Sequence, residues 1–167
     1  MSDRSTFWPA TPDWTLARIE AQGVMVTASC GDRGVFLLSG PTKAVQQVMK
    51  DNPGTLLQIA ADRVMLVTDT QAGLQDGWHS AGVAVSNLSD AHVRLDLRGP
   101  GAAALLALGS PSLALDPKPR AAAVGFAGMT LLVEPLADGA RLHVERPQAP
   151  HLWHWLLAAT QPAKDQP

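Results

Sequence analysis

Gly23-Val24-Met25-Val26-Thr27 returns 59 residues later as Gly82-Val83-Ala84-Val85-Ser86, and the same spacing carries Gly40-Pro41 with Ala44 onto Gly99-Pro100 with Ala103. The match runs without a gap over about 26 positions. Self-similarity at a fixed spacing is the mark of one structural unit used twice. Each copy reads as a strand, a short polar turn, a second strand, a Gly-Pro break and a helix.

Within the first copy, Gly23 to Ala28 is valine-rich and strand-like, and Trp14 to Glu20 before it alternates loosely through Trp14, Leu16 and Ile19. Cys30-Gly31-Asp32-Arg33-Gly34 has the small and polar residues of a tight turn, so a hairpin with Val35-Phe36-Leu37-Leu38 is expected. That unbroken apolar run predicts a strand buried on both faces. Ser39-Gly40-Pro41 stops the strand and starts a helix, since proline suits the first helical position and Ser39 or Gly40 can cap it. Ala44, Val45, Val48 and Met49 form the stripe this helix would lay on a sheet. After the turn residues Asp51-Asn52-Pro53-Gly54, Leu56 to Ala60 and Val64 to Val67 read as strands. Asp69 to His79, with Leu74 and Trp78 four apart, predicts a short helix.

In the second copy Val83 to Leu88 is a strand and Ser89-Asp90-Ala91 a turn. Val93, Leu95 and Leu97 alternate with Arg94, Asp96 and Arg98, which predicts a strand with one wet face. A helix over Ala102 to Leu108 follows Gly99-Pro100, and Pro111, Pro117 and Pro119 then mark a loop. Thr130 to Glu134 and Arg141 to Glu145 predict a hairpin turned by Ala137-Asp138-Gly139. A last helix from near Pro150 carries Leu152, Trp153, Leu156 and Leu157. The expected class is α+β, with two strand-strand-helix-strand-strand-helix units, mainly antiparallel sheets and helices on one side. The organisation divides into an arm and first strand over 1–22, pseudo-repeats over 23–81 and 82–160, and a flexible tail over 161–167. No G-x-G-x-x-G turn joins a strand to a helix, so a Rossmann fold is not expected.

Composition narrows the partners. The 167 residues are 46% hydrophobic and 17% charged with a net charge of −2, which offers no basic field for nucleic acid or anionic lipid. Cys30 is the single cysteine, so an internal disulfide and a cysteine-based zinc site are excluded and a reducing compartment is expected. No stretch reaches the about 18 apolar residues of a membrane helix and the start has no signal-like run, so the expected address is the cytoplasm.

The search for chemistry yields little. Gly31 to Gly34 lacks the lysine and following helix of a phosphate loop. Cys30 sits in a turn without a helix N-terminus or fixed cation to make a thiolate, and reads as a bland half-buried thiol. Asp90 and Asp96 read as surface partners of Arg94 and Arg98. His151 and His154 share a helix face, but Trp153 and Trp155 beside them point to packing, so no metal site is expected. No catalytic residue is assigned. Five tryptophans with no tyrosine is an unusual balance: two are expected in the core, and Trp8, Trp78, Trp153 and Trp155 are candidates for a partner-docking surface.

Three further segments carry a family resemblance, which extends from about Val24 to Leu157. Asn87-Leu88-Ser89-Asp90-Ala91-His92-Val93-Arg94-Leu95-Asp96-Leu97-Arg98-Gly99-Pro100, followed by Ala102-Ala103-Ala104-Leu105-Leu106 and Gly109, resembles the central stretch of the gamma subunit of heterotetrameric sarcosine oxidase, in the wider group similar to the glycine-cleavage T-protein. The ending Val144, Arg146, Ala149, Leu152-Trp153-x-Trp155-Leu156 resembles that family's closing segment, and Arg63-Val64-Met65-Leu66-Val67 its strand before the midpoint. Gly109-Ser110-Pro111 replaces the family's frequent Gly-Cys-Pro, His92 stands where arginine is common, and the N-terminal part is shortened. These departures point to a sister complex acting on another N-methylated amine.

The resemblance implies an accessory subunit without chemistry of its own. FAD, FMN, NAD and tetrahydrofolate would then lie on larger alpha- and beta-type flavoprotein subunits, with a small delta-type subunit completing the assembly. The alternative is a free-standing folate-binding protein of the same fold, which needs a carboxylate aimed at the pterin ring. Asp90 is the candidate for that role.

Overall fold

The computed structural model describes residues 11–70, 73–115 and 122–161, with the side chains of residues 114, 115 and 122 left aside. Trp8 and residues 162–167 of the tail expected over 161–167 lie outside the described residues. In chain order the strands are β1 (Arg18–Ala21), β2 (Val24–Ser29) and β3 (Gly34–Ser39), followed by helix α1 (Thr42–Asp51). Next come β4 (Thr55–Ala60), β5 (Arg63–Thr68), β6 (Gly77–His79), β7 (Val83–Asn87) and β8 (His92–Arg98). Helices α2 (Ala102–Gly109) and α3 (Pro111–Leu115), strands β9 (Ala122–Phe126), β10 (Met129–Leu136) and β11 (Gly139–Glu145), and helix α4 (Ala149–Thr160) complete the chain. The α+β class and the mainly antiparallel pairing are as expected.

All the strands join one sheet in the order β1-β2-β8-β11-β10-β9-β4-β5-β3-β7-β6. It consists of two half-sheets joined where β9 and β4 meet in a short parallel pair at Gln58 and Ala122. The expected hairpins across Cys30–Gly34 and Ser89–Ala91 are not formed. Instead β2 pairs with β8 and β7 with β3, so the two units exchange their first strands. Both edges of β3 are taken by long-range partners, β5 and β7, which leaves none for its sequence neighbour. The 59-residue offset survives the exchange. Val26 opposite Leu97 in one half becomes Val85 opposite Leu38 in the other, and Ala28 opposite Leu95 becomes Asn87 opposite Phe36.

A glycine contact explains why the repeat keeps these residues. A Cβ on Gly99, where φ is +104°, would run into the carbonyl oxygen of Gly23; one on Gly40 would lie 2.7 Å from the carbonyl oxygen of Gly82. These are the same contact, one from each half. The crossover from β7 to β8 is pinned by Ser89, whose buried Oγ accepts the Val35 N–H (3.0 Å) while its own N–H donates to Asn87 Oδ1 (2.9 Å).

Each half-sheet packs one face on helices. Val45 and Val48 of α1 meet Phe36, Leu38, Val64, Leu66, Val83 and Val85, as the stripe predicted. Leu105 of α2 and Leu152, Trp153 and Leu156 of α4 meet Val26, Leu95, Leu97 and Leu142. Fully burying a side chain of this kind contributes about 1.5–3 kcal/mol. A smaller cluster of Val35, Leu57, Met65 and Val67 packs with Leu132 of β10, so the opposite faces of the two halves meet.

Three further expectations change. The helix expected over Asp69–His79 is replaced at its end by strand β6, which turns Leu74 inwards and leaves Trp78 exposed; Gly77, at a φ of +115°, breaks the helical path. The proline-marked loop contains α3, whose Pro111 occupies the first helical position, and leads into β9. The face of β8 expected to be wet is covered, and Arg94 is only 4% exposed.

Candidate functional site

The covered face of β8 gathers most of the buried charge of the described chain. Antiparallel register places Thr27, Asp96, Arg141 and Glu134 in one row across β2, β8, β11 and β10. Ser29, Arg94, His143 and Leu132 form the next row. Period-2 alternation points all of these away from the helices. The corresponding positions of the other half carry apolar side chains, Val35 in place of Arg94 and Leu37 in place of Asp96.

Geometry ties the charges to one another. Arg141 grips Asp96 with two bonds, Nε to Oδ1 (2.6 Å) and Nη2 to Oδ2 (2.9 Å), and its Nη1 reaches Glu134 Oε2 (3.4 Å). A fork on a carboxylate is the strongest of the charge-assisted arrangements. Arg98 approaches Asp96 (3.6 Å) and donates to Asp138 in the β10–β11 turn (2.6 Å). Arg94 donates to Ser29 Oγ (3.0 Å) and pairs with Asp32, in the connection that crosses from one half to the other. Asp96 and Asp90 therefore part company. Asp96 belongs to a half-buried network rather than to a surface pair, because β2 and β11 flank its strand; Asp90 stands exposed in the turn before β8.

The network also sets the proton affinities. Burial alone would raise Asp96, but the hydrogen-bonded and nearby guanidinium of Arg141 brings its carboxyl below the ordinary range. A hydrogen bond from His143 lowers Glu134, and Arg141 adds to the effect. The bond to Asp96 raises Arg141 further. Burial of His143 lowers its affinity for a proton against the pull of Glu134. Its neutral Nε2–H then donates to Glu134 Oε2 (3.2 Å) and leaves Nδ1 without a protein partner, as is Nη1 of Arg94.

His143 lines a cavity of about 340 Å³ at the seam of the two halves, with Leu37 and Met65 from one side and His92, Leu88 and Leu132 also on its wall. It is the cavity that the charged network of the inner face adjoins. Its wall mixes apolar side chains with Arg63, Thr130, Glu145 and Gln148, and the described lining holds no activated nucleophile. Asp90 is not among the residues lining it. No group of three His, Cys, Asp or Glu able to hold a metal ion occurs among the described residues. Cys30 is a half-buried thiol packed against the larger core, and His154 Nδ1 is bonded to the Pro150 carbonyl oxygen (2.6 Å).

The tryptophans separate. Trp153 is buried, edge-on to Trp14 at 5.9 Å, and so is a core residue rather than a docking one. Trp155 is partly buried against Phe126 at 5.3 Å. Trp78, 74% exposed on edge strand β6, keeps the surface position that docking requires. Sequence reasoning had not singled out Glu134, Arg141 or His143. Their signal was present: the hairpin turned by Ala137-Asp138-Gly139 sets Glu134 opposite Arg141.

A pH dependence follows. His143 and His92 both bind protons less readily when folded, with burial the first cause in each case. The unfolded chain takes up these protons as pH falls below about 6.5, while the folded chain resists. Stability is therefore fully present above about 6.5 and declines as the pH drops through the lowered folded values. Urea unfolding midpoints measured from pH 7.5 to 5 should fall over this window, and less steeply in His143→Gln. A flat profile for the unsubstituted chain would count against a buried neutral His143.

No family model matches the chain, and no curated protein matches it. Among solved structures, a chain of the heterotetrameric sarcosine oxidase from Corynebacterium sp. U-96, in complex with pyrrole 2-carboxylate, is similar with a TM-score of 0.66. Sequence identity is 18%, and the match covers 85% of this chain and 86% of that one. The two chains share their fold, and the near-equal shares mean that they are of similar length. No helix among the described residues is long and apolar enough to cross a membrane.

Proposed function

We propose that this chain is an accessory, gamma-type subunit of a multi-chain flavin-dependent oxidoreductase that demethylates sarcosine or a related N-methylated amine. One observation carries the reading: along most of its length the chain has the fold of a similarly sized chain from a heterotetrameric sarcosine oxidase. The charged side chains of the inner face support a structural role, because they are largely consumed by one another. In this reading FAD, FMN, NAD and tetrahydrofolate belong to the larger alpha- and beta-type partners, a delta-type chain completes the assembly, and the setting is cytoplasmic.

Affinity-tagged chain purified from its own cells should bring down larger subunits with flavin absorbance. Produced alone, it should be colourless and leave N-methyl amines unoxidised. Isolated chain that oxidises such an amine would end the proposal.

A further inference from the structure

The repeat supplies an internal control for surface chemistry. Helices α1 and α2 occupy the same place in the two units, each following a Gly-Pro step and each packed on its half-sheet. The exposed face of α1 carries Lys43, Gln46, Gln47 and Lys50, as expected of a helix facing water. That of α2 carries Ala103, Ala104 and Leu108, and the whole helix holds no charged or polar side chain. Leu108 is 65% exposed. An unpolar outer face on one of two equivalent helices is the pattern of a surface that another molecule covers.

Beside α2 lies a groove of about 740 Å³, walled by Ala103, Leu106, Leu113, Pro135 and Leu136. Asp138 is the one charged lining residue among those described and is already paired with Arg98, so the described walls present little net field. Its complement is a convex, uncharged, apolar segment. A second copy fits poorly: a symmetric dimer needs a self-complementary patch, whereas here a concave groove lies beside a helix face whose one large exposed side chain, Leu108, is outside the groove wall.

We infer that the exposed face of α2, with this groove, docks an uncharged apolar segment of a larger partner subunit. The inference rests on the accessory-subunit reading and adds the surface to it. Leu108 is the central anchor, and the Arg98–Asp138 pair marks the polar rim.

The test compares affinity-tagged wild-type chain with Leu108→Arg and Ala104→Glu, each purified from the native cells. Flavin retained per chain should fall by about tenfold or more in both variants, as expected of an unpaired charge in a desolvated contact. Lys43→Glu/Lys50→Glu, on the equivalent face of α1, should retain it. The isolated Leu108→Arg chain should melt with the wild type, since the residue already faces water. Flavoprotein retained equally by wild type and both α2 variants overturns the docking face alone. Wild-type chain that retains no flavoprotein overturns the accessory reading together with this inference. Light scattering that finds a wild-type dimer converted to monomer by Leu108→Arg makes the occupant a second copy, and a large loss of melting temperature in the isolated variant shows the face to be covered from within; either result overturns the assignment.

Discussion

Replacing Gly99 by alanine should cost about 3 kcal/mol or more of folding stability. Two penalties combine there. The backbone holds φ at +104°, which L side chains rarely adopt, and the new Cβ would meet the carbonyl oxygen of Gly23, a backbone atom that no rotamer change can move aside. Gly23 immediately precedes the strand that is exchanged into this half, so relief of the clash would pull β2 off β8. The twin substitution, Gly40→Ala, meets the Gly82 carbonyl oxygen at 2.7 Å without a positive φ, and should cost less, about 2 kcal/mol. Gly125→Ala is the control: a Cβ there meets nothing within 4 Å, and the change should lie within about 0.5 kcal/mol of zero. Urea unfolding of the three variants checks the order. A Gly99→Ala chain as stable as Gly125→Ala would refute the glycine-on-glycine account of the exchange.

Arg141→Met should be nearly as damaging, at about 3 kcal/mol, because it removes the cation shared by two carboxylates, leaving Asp96 only the more distant Arg98 and Glu134 only the His143 hydrogen bond. Asp96 and Glu134 are 18% and 14% exposed at their side chains, too little for water to replace the guanidinium. Removing one member of a buried pair leaves the other charge unpaired, whereas removing both exchanges an ionic contact for packing. The double variant Asp96→Leu/Arg141→Met should therefore recover much of the loss. A double-mutant cycle should give a coupling of about 1–3 kcal/mol between the two positions. Additive single effects would show that the fork contributes nothing beyond its separate parts.

Much of the architecture was legible because it is written locally. Gly40-Pro41 and Gly99-Pro100 each precede a helix, although Pro41 itself takes the N-cap of α1 in place of Ser39 or Gly40, and Gly101 takes that of α2, so neither proline occupies the first helical position; the 3.6-residue stripe of α1 faces the side it predicted. The hairpin of β10 and β11 follows from its turn residues. The helix expected before the second copy failed because a single apolar pair four apart is weak evidence beside Gly77, whose backbone the observed path requires. Alternation alone marks Arg94 and Asp96 as wet because it reports two different faces of a strand, and not what lies across each of them.

The amino-acid order by itself determined the doubling of the unit, the kinds of element within it, the breaks between them and the apolar face of each helix, since all of these depend on neighbours a few positions apart. Only the tertiary structure decided that the units trade their first strands and that the charged face is enclosed. A strand with the same alternation can bond to its sequence neighbour or to the equivalent strand of the other copy, and residues 30–34 permit either route. The choice falls to contacts that exist only once both halves are assembled: the paired glycine approaches, the two partners that flank β3, and the seam where Leu132 meets Met65 and Val67.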